Sequence, residues 1–168
     1  MKLYIKQKVF SWGDKFSVKN EHGEDIYWVK GEVFSIGKKL HVYDLNENEL
    51  AFIKQKALSF LPKYYIYQGE KEIAEVIKKF TLLTQKYIVN GLDWEISGDF
   101  LAHEYSVINR NGDEVMSVSK QWLSWGDTYV IDTHDAVDPV IAVSLLLIID
   151  ACLASESHAA SASINFNS

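Results

Sequence analysis

From the N-terminus to about residue 133, apolar and polar residues alternate in short runs. A period of two puts successive side chains on opposite faces of a strand, one toward a core and one toward water. Clusters of turn-forming residues interrupt the alternation roughly every ten to twelve positions, the spacing expected of antiparallel β-structure. They include Asn20-Glu21-His22-Gly23, Ile36-Gly37-Lys38, Asn46-Glu47-Asn48, Gln68-Gly69-Glu70, Ser97-Gly98-Asp99 and Asn109-Arg110-Asn111-Gly112-Asp113. Glycine and asparagine suit such places because they tolerate positive φ. The runs between them predict about twelve strands. Segment 71–80 is the most ambiguous, since Lys71-Glu72-Ile73-Ala74-Glu75-Val76-Ile77 also reads as a short helix.

The pattern changes at Pro139. An apolar run broken only by Ser144 extends from Pro139 to Ile149 and resumes after Asp150 as Ala151-Cys152-Leu153. Asp135 and Asp138 are candidate N-caps, and proline fits the first helical position because its missing N–H has no partner to lose. Apolar residues occupy every side of this helix, expected over about 138–153, so no face is left for water and protein must surround it. A bilayer span needs about 20 predominantly apolar residues, which favours a helix buried in protein over a transmembrane one.

An internal repeat suggests what surrounds it. Val9-Phe10-Ser11-Trp12-Gly13, Val33-Phe34-Ser35-Ile36-Gly37, Ala57-Leu58-Ser59-Phe60-Leu61 and Lys79-Phe80-Thr81-Leu82-Leu83 align through their hydroxyl residues, and Trp122-Leu123-Ser124-Trp125-Gly126-Asp127 is a fifth copy. The period, near 24 residues, equals two strands with their turns. Successive copies therefore run in the same direction around a meander, and closing that meander into a barrel removes its edges. About twelve strands enclose more space than their own side chains fill, which leaves room for the apolar helix.

The Ser-Trp-Gly-Asp tetrapeptides at 11–14 and 124–127, the Val33–Gly37 unit, the run Glu49-Leu50-Ala51-Phe52-Ile53-Lys54-Gln55-Lys56 with Leu58-Ser59-Phe60-Leu61-Pro62, and the terminal apolar helix together resemble the LURP-one-related family, including its bacterial members. The resemblance covers about residues 1–153. It implies a tubby-like fold, a mainly β protein whose closed antiparallel β-barrel of about twelve strands surrounds a hydrophobic C-terminal α-helix. That architecture is similar to the tubby C-terminal domain, which binds phosphoinositides, and to phospholipid scramblases. Residues 1–153 are expected to form one domain. The small, serine-rich stretch 154–168 lies outside the resemblance and is expected to be a flexible tail.

Composition narrows the function classes. Apolar residues make up 48% of the 168, charged residues 24%, and there are 5 Trp, 9 Tyr and 8 Phe, so the body folds. The net charge is −6 and the pI near 5.3, with no basic footprint for nucleic acid. One cysteine, Cys152, cannot form an internal disulfide, and the first residues carry no apolar signal core, so a cytoplasmic protein is expected.

No catalytic or cofactor motif stands out. Gly31 to Gly37-Lys38 has the wrong glycine spacing for a phosphate loop, with Lys39 where a hydroxyl would hold magnesium. No Gly-x-Ser-x-Gly elbow occurs. The acidic stretch Asp132 to Asp138, with His134, fits no calcium loop and reads as a cap on the helix N-terminus. Cys152 reads as a small core residue, and Asp150 as the point where the helix emerges into water. No metal, cofactor or catalytic residue is therefore expected, and an enzyme would need a cavity lined by His103, His134 or the acidic stretch.

Lysines carry the one function-bearing pattern. Lys8, Lys56 and Lys78 lie three residues before the repeat hydroxyl, and Lys6, Lys30 and Lys54 lie five before it. Offsets of three and five share a strand face, opposite the apolar set, so all six are expected to point outward as a cationic stripe. Trp12 and Trp125 are expected at matching hairpin tips, where indoles suit a lipid interface. The expected function is non-enzymatic binding of anionic phospholipid headgroups or phosphate groups at the barrel surface, peripheral to a membrane. A protein-interaction scaffold without a small ligand is the alternative.

Overall fold

The computed structural model describes residues 1–6, 15–80, 85–123 and 126–164. Twelve strands follow one another: β1 (Lys2–Lys6), β2 (Lys15–Lys19), β3 (Asp25–Gly31), β4 (Lys39–Tyr43), β5 (Glu49–Gln55), β6 (Lys63–Gln68), β7 (Lys71–Phe80), β8 (Gln85–Asn90), β9 (Trp94–Asp99), β10 (Glu104–Ile108), β11 (Glu114–Leu123) and β12 (Gly126–Thr133). A helix, α1 (Pro139–Ile164), ends the chain. Segment 71–80, ambiguous as sequence, is strand, because only the two-residue period buries Ala74 and Val76 together.

Each strand pairs antiparallel with the next, and β1 closes the barrel against β12 from Lys2↔Asp132 to Lys6↔Thr128. The period-two pattern sorts the faces. Leu3, Ile5, Val29, Val42, Ile53, Ile66, Val76, Val89, Ile96, Val107, Val118 and Ile131 all point inward, each at most 2% exposed.

The helix occupies the interior. Asp138 caps it, its Oδ1 accepting from the Val140 N–H at 2.8 Å while its other oxygen accepts from Gln68 at 2.8 Å. Every residue from Val140 to Cys152 is buried, as a helix apolar on all sides requires when strands surround it. Pro139–Glu156 is long and apolar enough to cross a membrane, and 67% of it is buried in the barrel. The helix continues to Ile164, into the stretch expected to be a flexible tail. That stretch is rich in alanine, contains no proline or glycine, and is tied down at Glu156 by Lys78.

A meander has two kinds of end. Connections from even to odd strands lie where the helix enters, and those from odd to even strands lie where it leaves. Three entry-end hairpins share one construction. Asn20, Asp44 and Asn109 each accept, through Oδ1, from the backbone N–H groups two and four residues on, at 2.8–3.0 Å. The fourth loop position then takes positive φ, occupied by Gly23 and Gly112 but by Glu47 in the middle hairpin. On β9, Gly98 is needed for a different reason: a Cβ there would lie 2.5 Å from the Glu104 oxygen and the Tyr105 Cα.

A non-glycine residue in the left-handed region costs about 1–2 kcal/mol. Glu47→Gly is therefore expected to stabilise the protein by about 0.5–1 kcal/mol, after the weak exposed contact to Lys15 is lost, read as a higher urea midpoint with an unchanged slope.

Candidate functional site at the exit end of the barrel

Lysines gather where the helix leaves. At that end, Lys6, Lys15, Lys30, Lys39, Lys54, Lys63, Lys79 and Lys86 lie within two residues of the strand terminus, one on each of β1 to β8. Lys56 follows in the β5–β6 connection. Some are neutralised: Lys15 by Glu47 at 3.9 Å, Lys39 by Glu32 at 2.9 Å, Lys63 by Glu75 at 2.7 Å and Lys86 by Glu95 at 2.8 Å. Lys6, Lys30, Lys54, Lys56 and Lys79 are exposed and make no ion pair among the described residues. Three cross-strand pairs even set like charges opposite each other, Lys15↔Lys30, Lys39↔Lys54 and Lys79↔Lys86, an arrangement that is itself unfavourable.

Four of the six lysines singled out in the sequence, Lys6, Lys30, Lys54 and Lys56, point outward as expected. Lys78 does not. It lies on the inward face of β7 with Ala74 and Val76, is fully buried, and pairs with Glu156 of the helix beside the Tyr87 ring, 5.7 Å from its centroid. The outward residue is its neighbour Lys79. Spacing to the repeat hydroxyl transfers strand parity only if loop and strand divide alike; β3 and β5 end four residues before Ser35 and Ser59 but β7 ends one before Thr81, an odd difference of three that reverses the faces. Lys8, Trp12 and Trp125 lie outside the described residues.

On the outer wall, Lys15, Trp28, Lys30, Tyr43 and Glu47 line a shallow groove of about 410 Å³. The Lys15 ammonium sits 4.5 Å above the Trp28 ring.

The two ends differ sharply in chemistry. The entry-end connections carry Glu21, Glu24, Asp44, Glu47, Glu70, Asp93, Asp113, Asp135 and Asp138 against Arg110 and the imidazoles His22 and His134. The described exit-end connections carry Glu32, Lys38 and Lys56 as their charged residues and Ser35, Ser59 and His103 as their polar ones, and present several bare apolar side chains. Phe34 is 99% exposed, Leu58 105%, Phe60 100% and Leu101 89%. Val33 and Ile36 stand beside Phe34, and Trp122 beside the β11 terminus. Among the described residues, nine large apolar side chains are exposed, and only Met1 and Leu45 lie elsewhere.

Just inside this rim a collar of large residues grips the helix. Phe16, Leu40, Tyr64, Tyr87, Tyr105 and Tyr129 come one from each even strand, near its exit-end start, and all pack in the core. The Tyr129 hydroxyl donates to Asp150 at 2.8 Å and lies 3.3 Å from His103 Nδ1. Asp150 is thus buried and hydrogen-bonded, a correction to its expected place in water. Lys38 reaches in from the β3–β4 connection to donate to the Ala151 carbonyl at 2.9 Å. Burial raises the Asp150 carboxyl above its ordinary range, with Tyr129, His103 and Lys38 opposing, and lowers His103 and Lys38. The Cys152 thiol, deeply buried, is pushed up to about 12. It is inert as a nucleophile, in keeping with its reading as a core residue. Among the described residues the hydroxyls of Tyr64 and Tyr105 find no hydrogen-bond partner, and that of Tyr87 interacts with the Cys152 thiol.

Among the described residues no group of three or more His, Cys, Asp or Glu side chains could hold a metal ion. The acidic stretch works as expected of a cap: Asp138 at the helix N-terminus, Asp132 with Lys2 at 3.6 Å and Asp135 with the terminal amine at 3.7 Å.

Comparison with known proteins agrees with the architecture. The family model described as LURP-one-related matches residues 1–150. The chain belongs to the LURP-one-related family. A relative from Bacillus subtilis (strain 168), the uncharacterized protein YxjI, is 37% identical over 154 residues, covering 91% of this chain and 94% of that one. The X-ray structure of an Arabidopsis thaliana protein shares the fold with a TM-score of 0.64 at 16% identity, covering 89% of this chain and 88% of its own.

In this LURP-one-related chain the collar escaped sequence reading, although a signal for it exists. Large inward residues recur at 16, 40, 64, 87, 105 and 129, near the repeat period except for the 18-residue step from 87 to 105, but nothing in a single sequence separates them from other apolar strand positions.

Asp150 supplies a pH test. A carboxyl with a raised folded-state pKa holds its proton more tightly when folded, so it stabilises most at low pH. Stability falls as pH climbs from the ordinary carboxylate range through the raised value. Asp150→Asn, which keeps an oxygen to accept from Tyr129, is expected to have a higher urea midpoint than the native protein at pH 7 and to lose that advantage toward pH 4. The buried ion pair gives a second test. Glu156→Gln, which strips the buried Lys78 of its carboxylate, is expected to cost about 3 kcal/mol, and Lys78→Met much less, because Glu156 can turn to water.

Proposed function

We propose that the protein is a non-catalytic, cytoplasmic module that docks through the exit end of its barrel onto an anionic phospholipid surface. The observation that carries this reading is the placement of a lysine at the same end of eight consecutive strands, in a chain whose net charge is −6. The entry-end termini carry only Lys2, Lys19 and Lys71, the first two paired with Asp132 and Asp25. The entry end is acidic instead, so an anionic membrane would repel it and attract its opposite.

Attraction of this kind is worth about 1 kcal/mol per lysine near an anionic leaflet, and the five exposed lysines that make no ion pair among the described residues supply enough for reversible binding. It acts over a Debye length of about 8 Å at physiological salt and weakens as salt rises. The interior adds support for a binding role over a catalytic one. The helix fills it with apolar side chains, and the polar groups of the collar are engaged with one another or sealed away from solvent.

Vesicle flotation tests the reading. The native protein is expected to float with vesicles containing about 30% phosphatidylserine at low salt, to float poorly at high salt, and to ignore pure phosphatidylcholine. Replacing Lys6, Lys30, Lys54 and Lys56 with glutamate is expected to abolish flotation while circular dichroism and the urea midpoint stay near native. A reversed variant that floats as the native protein does would exclude docking through this face. Absence of binding to any vesicle would leave a protein-interaction scaffold.

A further inference from the structure

The exit end is layered along the barrel axis in a way that charge alone does not require. Outermost are apolar tips. Phe34 and Leu58 and Phe60 stand free at the ends of the β3–β4 and β5–β6 connections, and Leu101 and Trp122 continue the rim on the far side. Behind them lies the lysine belt at the strand termini, and at the opposite end of the molecule lie the carboxylates. The same sequence of chemistry occurs across one leaflet of an anionic membrane: acyl chain, charged headgroup, water.

Resting on the lipid-docking reading above, we infer that these tips enter the bilayer, so that the barrel stands on the membrane with the helix exit facing it. The geometry favours a bilayer over a protein partner. The apolar residues sit on separate hairpins around a ring instead of forming one contiguous groove, which suits a fluid medium that fills in around each tip. Lysine stems behind them are long enough to lie along apolar surface while their ammonium groups stay at headgroup level.

One tip is held out at a cost. Leu58, wholly exposed, adopts φ 57°, a conformation that leucine disfavours. Folding alone gains nothing from a leucine there, since it buries no surface in the protein. Glycine would satisfy the backbone better, which makes Leu58→Gly a variant that removes the side chain without endangering the fold.

The test compares the native protein with a Phe34→Ser, Leu58→Gly, Phe60→Ser variant on phosphatidylserine-containing vesicles across a salt series. The variant is expected to bind at least about tenfold more weakly and to lose all binding at high salt, where the native protein keeps a salt-resistant fraction. Vesicles carrying brominated phosphatidylcholine give a depth readout. They are expected to quench the native tryptophan fluorescence, and the quenching should drop in Trp122→Phe. Equal binding by variant and native protein, with no bromine quenching, would overturn insertion while leaving electrostatic docking intact. Failure of the native protein to bind any vesicle would overturn both readings. A native dimer in solution that the triple variant dissolves, without vesicle binding, would mark the rim as a protein–protein face and overturn both as well.

Discussion

Everything in this molecule follows from a helix with no polar face. Thirteen consecutive residues from Val140 to Cys152 are buried, and water could not solvate any side of them. A two-layer fold would leave one flank bare, whereas a closed barrel covers all of them and removes the unpaired strand edges as well. The same helix makes the barrel possible. Twelve strands enclose a volume that their inward valines and isoleucines do not fill, and close packing demands that something does. Sheet and helix therefore each complete the other.

Threading a helix through a barrel also creates two unlike ends. At entry, Asp138 caps the helix N-terminus, and the neighbouring connections are acidic, turn-rich and tightly hydrogen-bonded. At exit, the chain must leave an apolar interior for water, and polar groups appear at depth for that reason. Asp150, Tyr129 and His103 form one knot, Lys78 and Glu156 another, and Lys38 ties the Ala151 carbonyl. Buried groups of this kind contribute little net stability, because desolvation offsets most of what their partners return. Their effect is to fix the helix at one depth and one rotation, since sliding by a single residue would strand a charge.

The exit end also gathers the surface chemistry. Apolar tips and lysine belt share the rim where the helix leaves because they lie in or beside the odd-to-even connections of a regular meander. A repeat of two strands places each copy of its motif at the same end, so whatever the repeat unit carries is multiplied around the ring. That regularity turns scattered lysines of a net acidic protein into a local cationic band.

By itself the sequence determined the strand count, the closure of the barrel, the buried helix, the family and the outward direction of Lys6, Lys30, Lys54 and Lys56. These are local or periodic properties: alternation gives a strand its two faces, and a helix apolar all round admits only an interior. Tertiary structure decided the rest. The inward turn of Lys78 depended on where β7 ended relative to its loop, an odd shift in strand end that no motif alignment resolves. The burial of Asp150 on the helix depended on Tyr129 being brought beside it from β12. The aromatic collar and the charge division between ends arise only when six strand starts, far apart in sequence, meet around one axis, because contact between distant residues is set by closure and register and not by the order of residues along the chain.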